Sequence, residues 1–201
     1  MSADAGSFAA IVVAGGAGTR LSGVSKPELV IAGRSLMDRT LDACAGASHI
    51  VVVGGEHLKR DGALWACEDP PGSGPAAGLA AGLAALGAAS DASAFVLVLG
   101  ADTPRADAGV AALLSRVRAG VEGASGADGA WLVDRSGFPQ PLLAIYRREA
   151  IAARCVAEAA PGASLRRVTG GLDMAEVADV YGAARDVDTW EDVQYWEGEL
   201  S

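Results

Sequence analysis

The sequence predicts an α/β fold, in which helices cover both faces of a largely parallel sheet. Short apolar runs rich in β-branched residues alternate along the chain with longer segments of helical periodicity. These runs are apolar at nearly every position, as is typical of strands that are buried on both faces. The chain has 201 residues, of which 51% are hydrophobic, so one domain can form a core without disulfides or a metal.

The first part of the chain predicts three strands and two helices. Residues 8–14, FAAIVVA, form a buried strand that two glycines end. A loop to about residue 32 follows, and Ser35 is placed to cap a helix over SLMDRTLDACAG. Residues 49–55, HIVVVGG, predict a second strand, and a Pro/Gly cluster separates it from a small-residue helix over residues 75–89. The third strand, AFVLVLGAD, is the most strongly apolar of the chain.

The second part continues the alternation. Residues 107–118 have helical spacing, and two strands, ADGAWLVD and PLLAIYRR, are joined by a Gly/Pro turn. Helices are predicted near residues 149–160 and 189–199, with a weak strand over residues 174–180 between them. Ligands of such sheets bind beyond the carboxyl ends of the strands. We therefore expect the functional residues in the segments that follow the strands.

Composition excludes several kinds of partner. A net charge of −9 argues against a general nucleic-acid surface, because phosphate backbones are bound mainly by clustered Lys and Arg. No run of about 18 apolar residues lacks a charge or a glycine turn, so no membrane span is predicted. The start of the chain has no basic region typical of a signal peptide, and three widely spaced cysteines fit reduced thiols. We expect a cytoplasmic protein that binds neither nucleic acid nor membrane.

The segment AGGAGTRLSGVSK, directly after the first strand, is a candidate phosphate-binding loop. Its glycines are Gly15, Gly16, Gly18 and Gly23. Glycines permit positive φ and bring backbone N–H groups close to phosphate oxygens. The loop is not a dinucleotide fingerprint, which needs a glycine at Leu21, and it lacks the Gly-Lys-Ser/Thr of a Walker loop.

Two cations, Arg20 and Lys26, lie in the same segment. Lys26 is one of only two lysines beside fourteen arginines, a usage that fits a position needing a compact point charge, with chance as the alternative. A structural turn would explain the glycines alone. With both cations, the segment predicts triphosphate binding.

The string VAGGAGTRLSGVSKPELVIAGRSLMDRTLDA resembles the opening signature of nucleotidyltransferases that activate a phosphate with a nucleoside triphosphate. It is most similar to that of the MobA-type molybdenum cofactor guanylyltransferases. Further blocks in the family's order are GPAAGLAAGL, LGADTPRA, FPQPLLAIY and DVDTWEDV. The resemblance implies a single nucleotidyltransferase domain over residues 1–201, built as a three-layer α/β/α sandwich with a mostly parallel, Rossmann-like sheet.

The resemblance also implies a reaction. The terminal phosphate of molybdopterin attacks the α-phosphorus of GTP, pyrophosphate leaves, and Mg²⁺ steadies the charge. Arg20 and Lys26 match the cations that hold the triphosphate, and Asp102 matches the magnesium carboxylate. A turn-capping acid before Thr103 is the alternative for Asp102. Because the displacement brings two anions together, the protein must chiefly position and neutralise them.

The residues at the end of the first predicted strand indicate which nucleotide the protein binds. A LAGG-like start is typical of the guanine enzymes of this family, and this chain has Val13, Ala14, Gly15 and Gly16 there. The resemblance places these residues, together with Gly18, Lys26, Asp69 and Asp102, at the nucleotide. Asp69 aligns with an acid that meets the base, and a carboxylate can accept both guanine N1–H and N2–H₂. A solvated loop acid is the alternative for Asp69.

The late block carries a second candidate metal ligand. Asp186 and Asp188 stand where asparagines are frequent in the family. We hypothesise that Asp188 joins Asp102 on the metal, since related sugar nucleotidyltransferases have a ligand in that block. The alternative is that Asp188 caps the helix that begins at Thr189.

Three further positions depart from the family pattern. They are Ser25, Gly54 and Gln140, which replace an acid, an asparagine and a histidine. These changes leave room for other functions of the same fold: cytidylyl transfer to molybdopterin, transfer to phospholactate or a sugar phosphate, or nucleotide binding without catalysis. The partners that the resemblance implies are GTP, molybdopterin, the molybdenum-insertion enzyme and the recipient molybdoenzymes. We expect a monomer or a weak homo-oligomer.

Overall fold

A computed structural model describes residues 7–15, 24–122 and 126–201 of the protein. A seven-stranded sheet lies at its centre with helices on both faces, which confirms the predicted α/β/α sandwich. The strands are β1 Phe8–Val13, β2 Val30–Ile31, β3 Arg34–Ser35, β4 Ile50–Val53, β5 Leu64–Ala66, β6 Phe95–Gly100, β7 Gly129–Val133, β8 Pro139–Arg147 and β9 Met174–Ala178. The helices are α1 Leu36–Ala43, α2 Pro75–Ala88, α3 Ala106–Glu122, α4 Arg148–Glu158, α5 Leu165–Thr169 and α6 Trp190–Leu200.

The strand order of the sheet is β5-β4-β1-β6-β8-β7-β9. Strand β8 is antiparallel to its neighbours β6 and β7, and the other neighbouring pairs are parallel. Six strands therefore point the same way and end at one edge of the sheet. We call this the carboxyl edge; it consists of the residues that directly follow β1, β4, β5, β6, β7 and β9.

Two apolar cores lie on the two faces of the sheet. Alternate residues of β1 divide between them, so that Ala10 and Val12 face α1 and α3, whereas Ala9 and Ile11 face α2, α4 and α5. Every residue of β1 and β6 is buried, which explains their continuous apolar runs. Helix α2 packs so closely that a Cβ at Gly82 would lie 2.6 Å from Ile11 Cγ2. This close approach therefore requires glycine at position 82.

A third apolar cluster joins two distant parts of the chain. It contains Leu29, Ile31 and Leu36 from the segment after β1, and Val187 and Trp196 from the end of the chain. Ala32 N also donates a hydrogen bond to Glu197 Oε2 at 3.0 Å. The cluster thus holds α6 against the β2–β3 hairpin, next to the carboxyl edge.

The predicted elements with clear periodicity are present within a few residues of their expected bounds. The β2–β3 hairpin, β5 and α5 were not predicted, and the expected loop to residue 32 contains the hairpin and a 3₁₀ turn over Lys26–Glu28. These elements have two to five residues, too few to show a repeating pattern.

Among the described residues, none of the helices combines the length and the apolar composition that a membrane span requires.

At the opposite edge of the sheet, Asp91 joins three segments. Its carboxylate accepts hydrogen bonds from Ser48 Oγ at 2.6 Å, His49 Nδ1 at 2.7 Å and Arg148 Nη1 at 2.9 Å. Burial is the largest influence on the pKa of Asp91 and raises it. The hydrogen bonds from Ser48, the Ser93 backbone and His49 together outweigh burial and lower the pKa to about 2.

This network predicts an acid-sensitive contribution to stability. The pKa of Asp91 is lower in the folded protein, about 2, than its ordinary value of 3.8. Its contribution is therefore fully present above about pH 4 and is lost as the pH falls through about 2. We expect Asp91→Ala to lower the free energy of unfolding at pH 7 by about 2–4 kcal/mol, because Arg148 loses its buried partner.

Urea unfolding of the wild type and of Asp91→Ala between pH 2 and pH 7 measures this effect. Asp61→Ala is the matched control, since Asp61 is exposed. Equal stabilities of the two variants at pH 7 would contradict the assignment.

Candidate active site

The main chain at Asp102 is held from two sides. Gly100, the last residue of β6, pairs with Val13 of β1, and Ala101 N donates to Val13 O at 3.3 Å. On the other side, Asp102 O accepts a hydrogen bond from Val187 N at 2.9 Å. The backbone of Asp102 is therefore fixed at the carboxyl edge, between the central strand and the late block of the chain.

Val187 anchors the late block. Its side chain is fully buried beside Leu36 and Trp196. Asp186 and Asp188 flank this anchor, and the charge of each raises the pKa of Asp102. Asp102, Asp186 and Asp188 are therefore neighbours, and we call these three residues the acid cluster.

Burial and mutual repulsion determine the ionisation of the acid cluster. Burial is the main cause that raises the pKa of Asp102 to about 6; Asp186 and Asp188 raise this pKa further, and Lys26 lowers it. Burial and then Asp188 raise the pKa of Asp186, whereas Lys26 lowers it. Concentrated negative charge of this kind favours binding of a cation.

Lys26 is the cation that the structure places at this cluster. It lies in the 3₁₀ turn Lys26–Glu28, which the buried Pro27 holds in place. Its Nζ donates a hydrogen bond to Asp188. Three predicted residues, Lys26, Asp102 and Asp188, are thus brought together from positions 162 residues apart in the chain.

Asp188 does not cap helix α6. The N-cap is Thr189, whose side chain accepts a hydrogen bond from Asp192 N, while the Asp192 carboxylate accepts from the Thr189 backbone. The Asp192 carboxylate also accepts a hydrogen bond from Asp188 N at 3.2 Å. The capping alternative for Asp188 is therefore wrong, and its carboxylate pairs with Lys26.

The oxygen donors of the cluster suit a divalent cation such as Mg²⁺. Within the part of the chain that the structure describes, no three acidic, His or Cys side chains are arranged to hold a metal by themselves. Mg²⁺ is commonly bound by one or two carboxylates together with phosphates of a nucleotide. The cluster fits that arrangement, in which phosphates supply the remaining ligands.

The start of the candidate phosphate loop reaches the same edge. Val13 ends β1, Ala14 is buried with its N–H donated to Val53 O at 2.8 Å, and Gly15 is exposed. Gly16, Gly18 and Arg20 lie outside the described residues. Their expected contacts with the triphosphate stay predictions.

Asp69 lies at the carboxyl edge but apart from the acid cluster. It follows β5, which β4 and β1 separate from β6, and it is exposed. Its neighbour Glu68 is buried, and Glu68 Oε1 accepts a hydrogen bond from Gly72 N at 3.1 Å. A Cβ built on Gly15 would lie 3.6 Å from the same oxygen. Sequence reasoning missed Glu68; the available signal was a second acid directly before Asp69.

The positions that depart from the family pattern have local structural contacts. Ser25 O accepts from Glu28 N at 3.0 Å and so begins the turn that carries Lys26. Gly54 O accepts from Trp65 Nε1 at 3.1 Å. Gln140 Nε2 donates to Asp134 Oδ2 at 2.8 Å, across the turn between β7 and β8.

The sequence profile of the MobA-like NTP transferase domain matches residues 10–177. No protein of curated function matches the chain at a significant level of sequence similarity. Several solved structures share its fold at low identity. Molybdopterin-guanine dinucleotide biosynthesis protein A from Archaeoglobus fulgidus is 21% identical with a TM-score of 0.70, covering 94% of this chain and 97% of its own.

Two other structures with a similar fold belong to different proteins. The 2-C-methyl-D-erythritol 4-phosphate cytidylyltransferase from Francisella tularensis is 14% identical with a TM-score of 0.68, covering 96% of this chain and 100% of its own. A manganese complex of Rv0371c from Mycobacterium tuberculosis H37Rv is 16% identical with a TM-score of 0.65, again covering 96% and 100%. At these identities, the likeness shows a shared fold.

The buried anchor of the late block predicts a stability effect. Val187→Ala removes two methyl groups from a fully buried site, so we expect the free energy of unfolding to fall by about 1–3 kcal/mol. Val180→Ala is the matched control, because Val180 is 66% exposed and its loss should change stability by no more than about 0.5 kcal/mol. Urea unfolding compares the two variants, and similar effects would show that Val187 is not an anchor.

Proposed function

The chain belongs to the MobA-like NTP transferase family, and on that premise we propose that it transfers GMP from GTP to molybdopterin with release of pyrophosphate. The observation that carries the proposal is the convergence of Lys26, Asp102 and Asp188 at the carboxyl edge. Family membership supports transfer from a nucleoside triphosphate. The guanine base and the molybdopterin acceptor are what the proposal adds.

In this reaction the protein must bind and position anions, and it does not need to transfer protons. A terminal phosphate is already largely ionised near pH 7, since its second pKa is about 6, so its attack on the α-phosphorus needs no general base. Lys26 would offset the charge of the triphosphate as a compact cation. Its hydrogen bond to Asp188 keeps Nζ at the carboxyl edge before the nucleotide arrives. Arg20 would add a second cation.

Asp102 and Asp188 would hold the Mg²⁺, which when bound neutralises charge on the phosphate oxygens. The manganese in the Rv0371c structure supports the use of a divalent cation by this fold. The hydrogen bond from Val187 N to Asp102 O fixes the backbone at Asp102 and directly before Asp188. Little rearrangement is then needed when the nucleotide binds, which favours catalysis by positioning.

Asp69 would select the guanine base. It is exposed at the carboxyl edge, and Glu68 fixes the loop behind it through the hydrogen bond from Gly72 N. A carboxylate there can accept from both N1–H and N2–H₂ of guanine, whereas cytosine has no such pair of donors. Cytidylyl transfer is the second candidate, favoured by the shared fold with a cytidylyltransferase at a TM-score of 0.68.

A thermal-shift panel with GTP, CTP, ATP and UTP, each with and without Mg²⁺, tests the nucleotide. We expect GTP with Mg²⁺ to raise the Tm of the wild type by about 5–10 °C at saturation. Asp102→Ala should lose most of this shift, and Asp61→Ala should keep it. The matching assay is pyrophosphate release from GTP in the presence of molybdopterin.

Each outcome of the panel is informative. A shift with CTP in place of GTP would support cytidylyl transfer. A shift without release of pyrophosphate from the nucleotide, whichever acceptor phosphate is supplied, would support a nucleotide-binding regulator. No shift with any nucleotide would contradict the proposed function.

The role of Asp69 predicts a change in base selectivity. Asp69→Asn replaces one acceptor by a donor, so we expect the preference for GTP over CTP to fall about 10- to 100-fold, as for loss of a hydrogen bond to a charged group. The ratio of kcat/KM for the two nucleotides measures it, with Asp61→Asn as control. An unchanged ratio would show that Asp69 does not read the base.

A further inference from the structure

Gly100 lies under the carboxylate of Asp102. A Cβ at position 100 would lie 2.7 Å from Asp102 Oδ1, and 3.7 Å from both Asp102 Cγ and Leu142 Cβ. A carbon and an oxygen do not approach to 2.7 Å without strong repulsion, since nonbonded atoms are most stable about 3.5–4.0 Å apart. The carboxylate of Asp102 therefore occupies the space that a side chain at position 100 would fill.

The backbone of Gly100 does not itself require glycine. Eleven described glycines have a positive φ, and Gly100 is not among them. Gly100 is also the last residue of β6 and pairs in register with Val13 of β1. The absence of a side chain at this position is thus explained by space and not by backbone conformation.

Two backbone hydrogen bonds oppose movement of the main chain away from such a contact. Ala101 N is bonded to Val13 O, and Asp102 O is bonded to Val187 N. These bonds fix the backbone on both sides of the Asp102 side chain. A Cβ at position 100 would therefore displace the carboxylate by rotation about its own side-chain bonds.

We propose that Gly100 is a positioning residue for nucleotidyl transfer, because it leaves the space in which the Asp102 carboxylate folds back over the end of β6. In that position the carboxylate lies with Asp186, Asp188 and Lys26 at the carboxyl edge. The inference rests on the proposed role of Asp102 toward a divalent cation. Small displacements of a ligand or of its support weaken such sites strongly.

The test compares Gly100→Ala with wild type in Mn²⁺ binding, measured by electron paramagnetic resonance in the presence of GTP. We expect the affinity for Mn²⁺ to fall about 10- to 100-fold, while the circular dichroism spectrum stays as in wild type, because only the Asp102 carboxylate is displaced. The concentration of Mg²⁺ that gives half-maximal pyrophosphate release should rise in parallel. Gly87→Ala is the matched control, since a Cβ at position 87 would meet no described residue within 4 Å beyond its own stretch of helix.

A double-variant cycle separates this inference from the proposed function. If Gly100 acts through Asp102, adding Gly100→Ala to Asp102→Ala should change Mn²⁺ affinity no further. Wild-type Mn²⁺ affinity in Asp102→Ala would overturn both the proposed role of Asp102 and this inference. An impaired Asp102→Ala beside an unimpaired Gly100→Ala would overturn the inference alone.

The same set of variants also interprets a failure of Gly100→Ala to fold. If Gly100→Ala does not fold but the double variant folds like Asp102→Ala, the clash is with the carboxylate, as proposed. If neither folds, position 100 meets another part of the protein and the inference is overturned.

Discussion

One backbone hydrogen bond, from Val187 N to Asp102 O at 2.9 Å, joins the late block of the chain to the end of the central strand. The acid cluster depends on it, because Val187 lies between Asp186 and Asp188 in the chain and its N–H holds both beside Asp102. The bond is maintained by burial of the Val187 side chain among residues of α1, α6 and the segment after β1. An apolar contact between distant segments thus determines where the polar groups of the site lie.

The site concentrates repulsion that the rest of the fold must offset. Burial raises the pKa values of Asp102 and Asp186, and the nearby charge of Asp188 raises both further, whereas Lys26 lowers them. The ionised cluster therefore opposes folding until a cation offsets its charge. The fully buried β1 and β6 supply apolar burial that offsets this repulsion in the stability of the fold. An electrostatically unfavourable arrangement of this kind is typical of functional sites.

The two edges of the sheet have different physical roles. At the edge opposite the cluster, the Asp91 carboxylate accepts hydrogen bonds from Ser48, His49, Ser93 and Arg148, which join separate segments of the fold. At the carboxyl edge, Lys26 and the acid cluster come together from distant parts of the chain. The parallel arrangement of six strands produces this separation, because it collects the loops after the strands at one edge.

The sequence by itself determined the alternation of strands and helices, because long apolar runs and helical spacing are local properties. Its motifs also predicted roles for Lys26, Asp102 and Asp188, which the structure brings together. Tertiary structure decided the rest. The β2–β3 hairpin, β5 and α5 are too short to show a period and exist through pairing or packing with distant segments. The burial of Glu68 beside an exposed Asp69, the capping of α6 by Thr189, and the space above Gly100 each depend on which atoms meet in three dimensions, which local pattern does not encode.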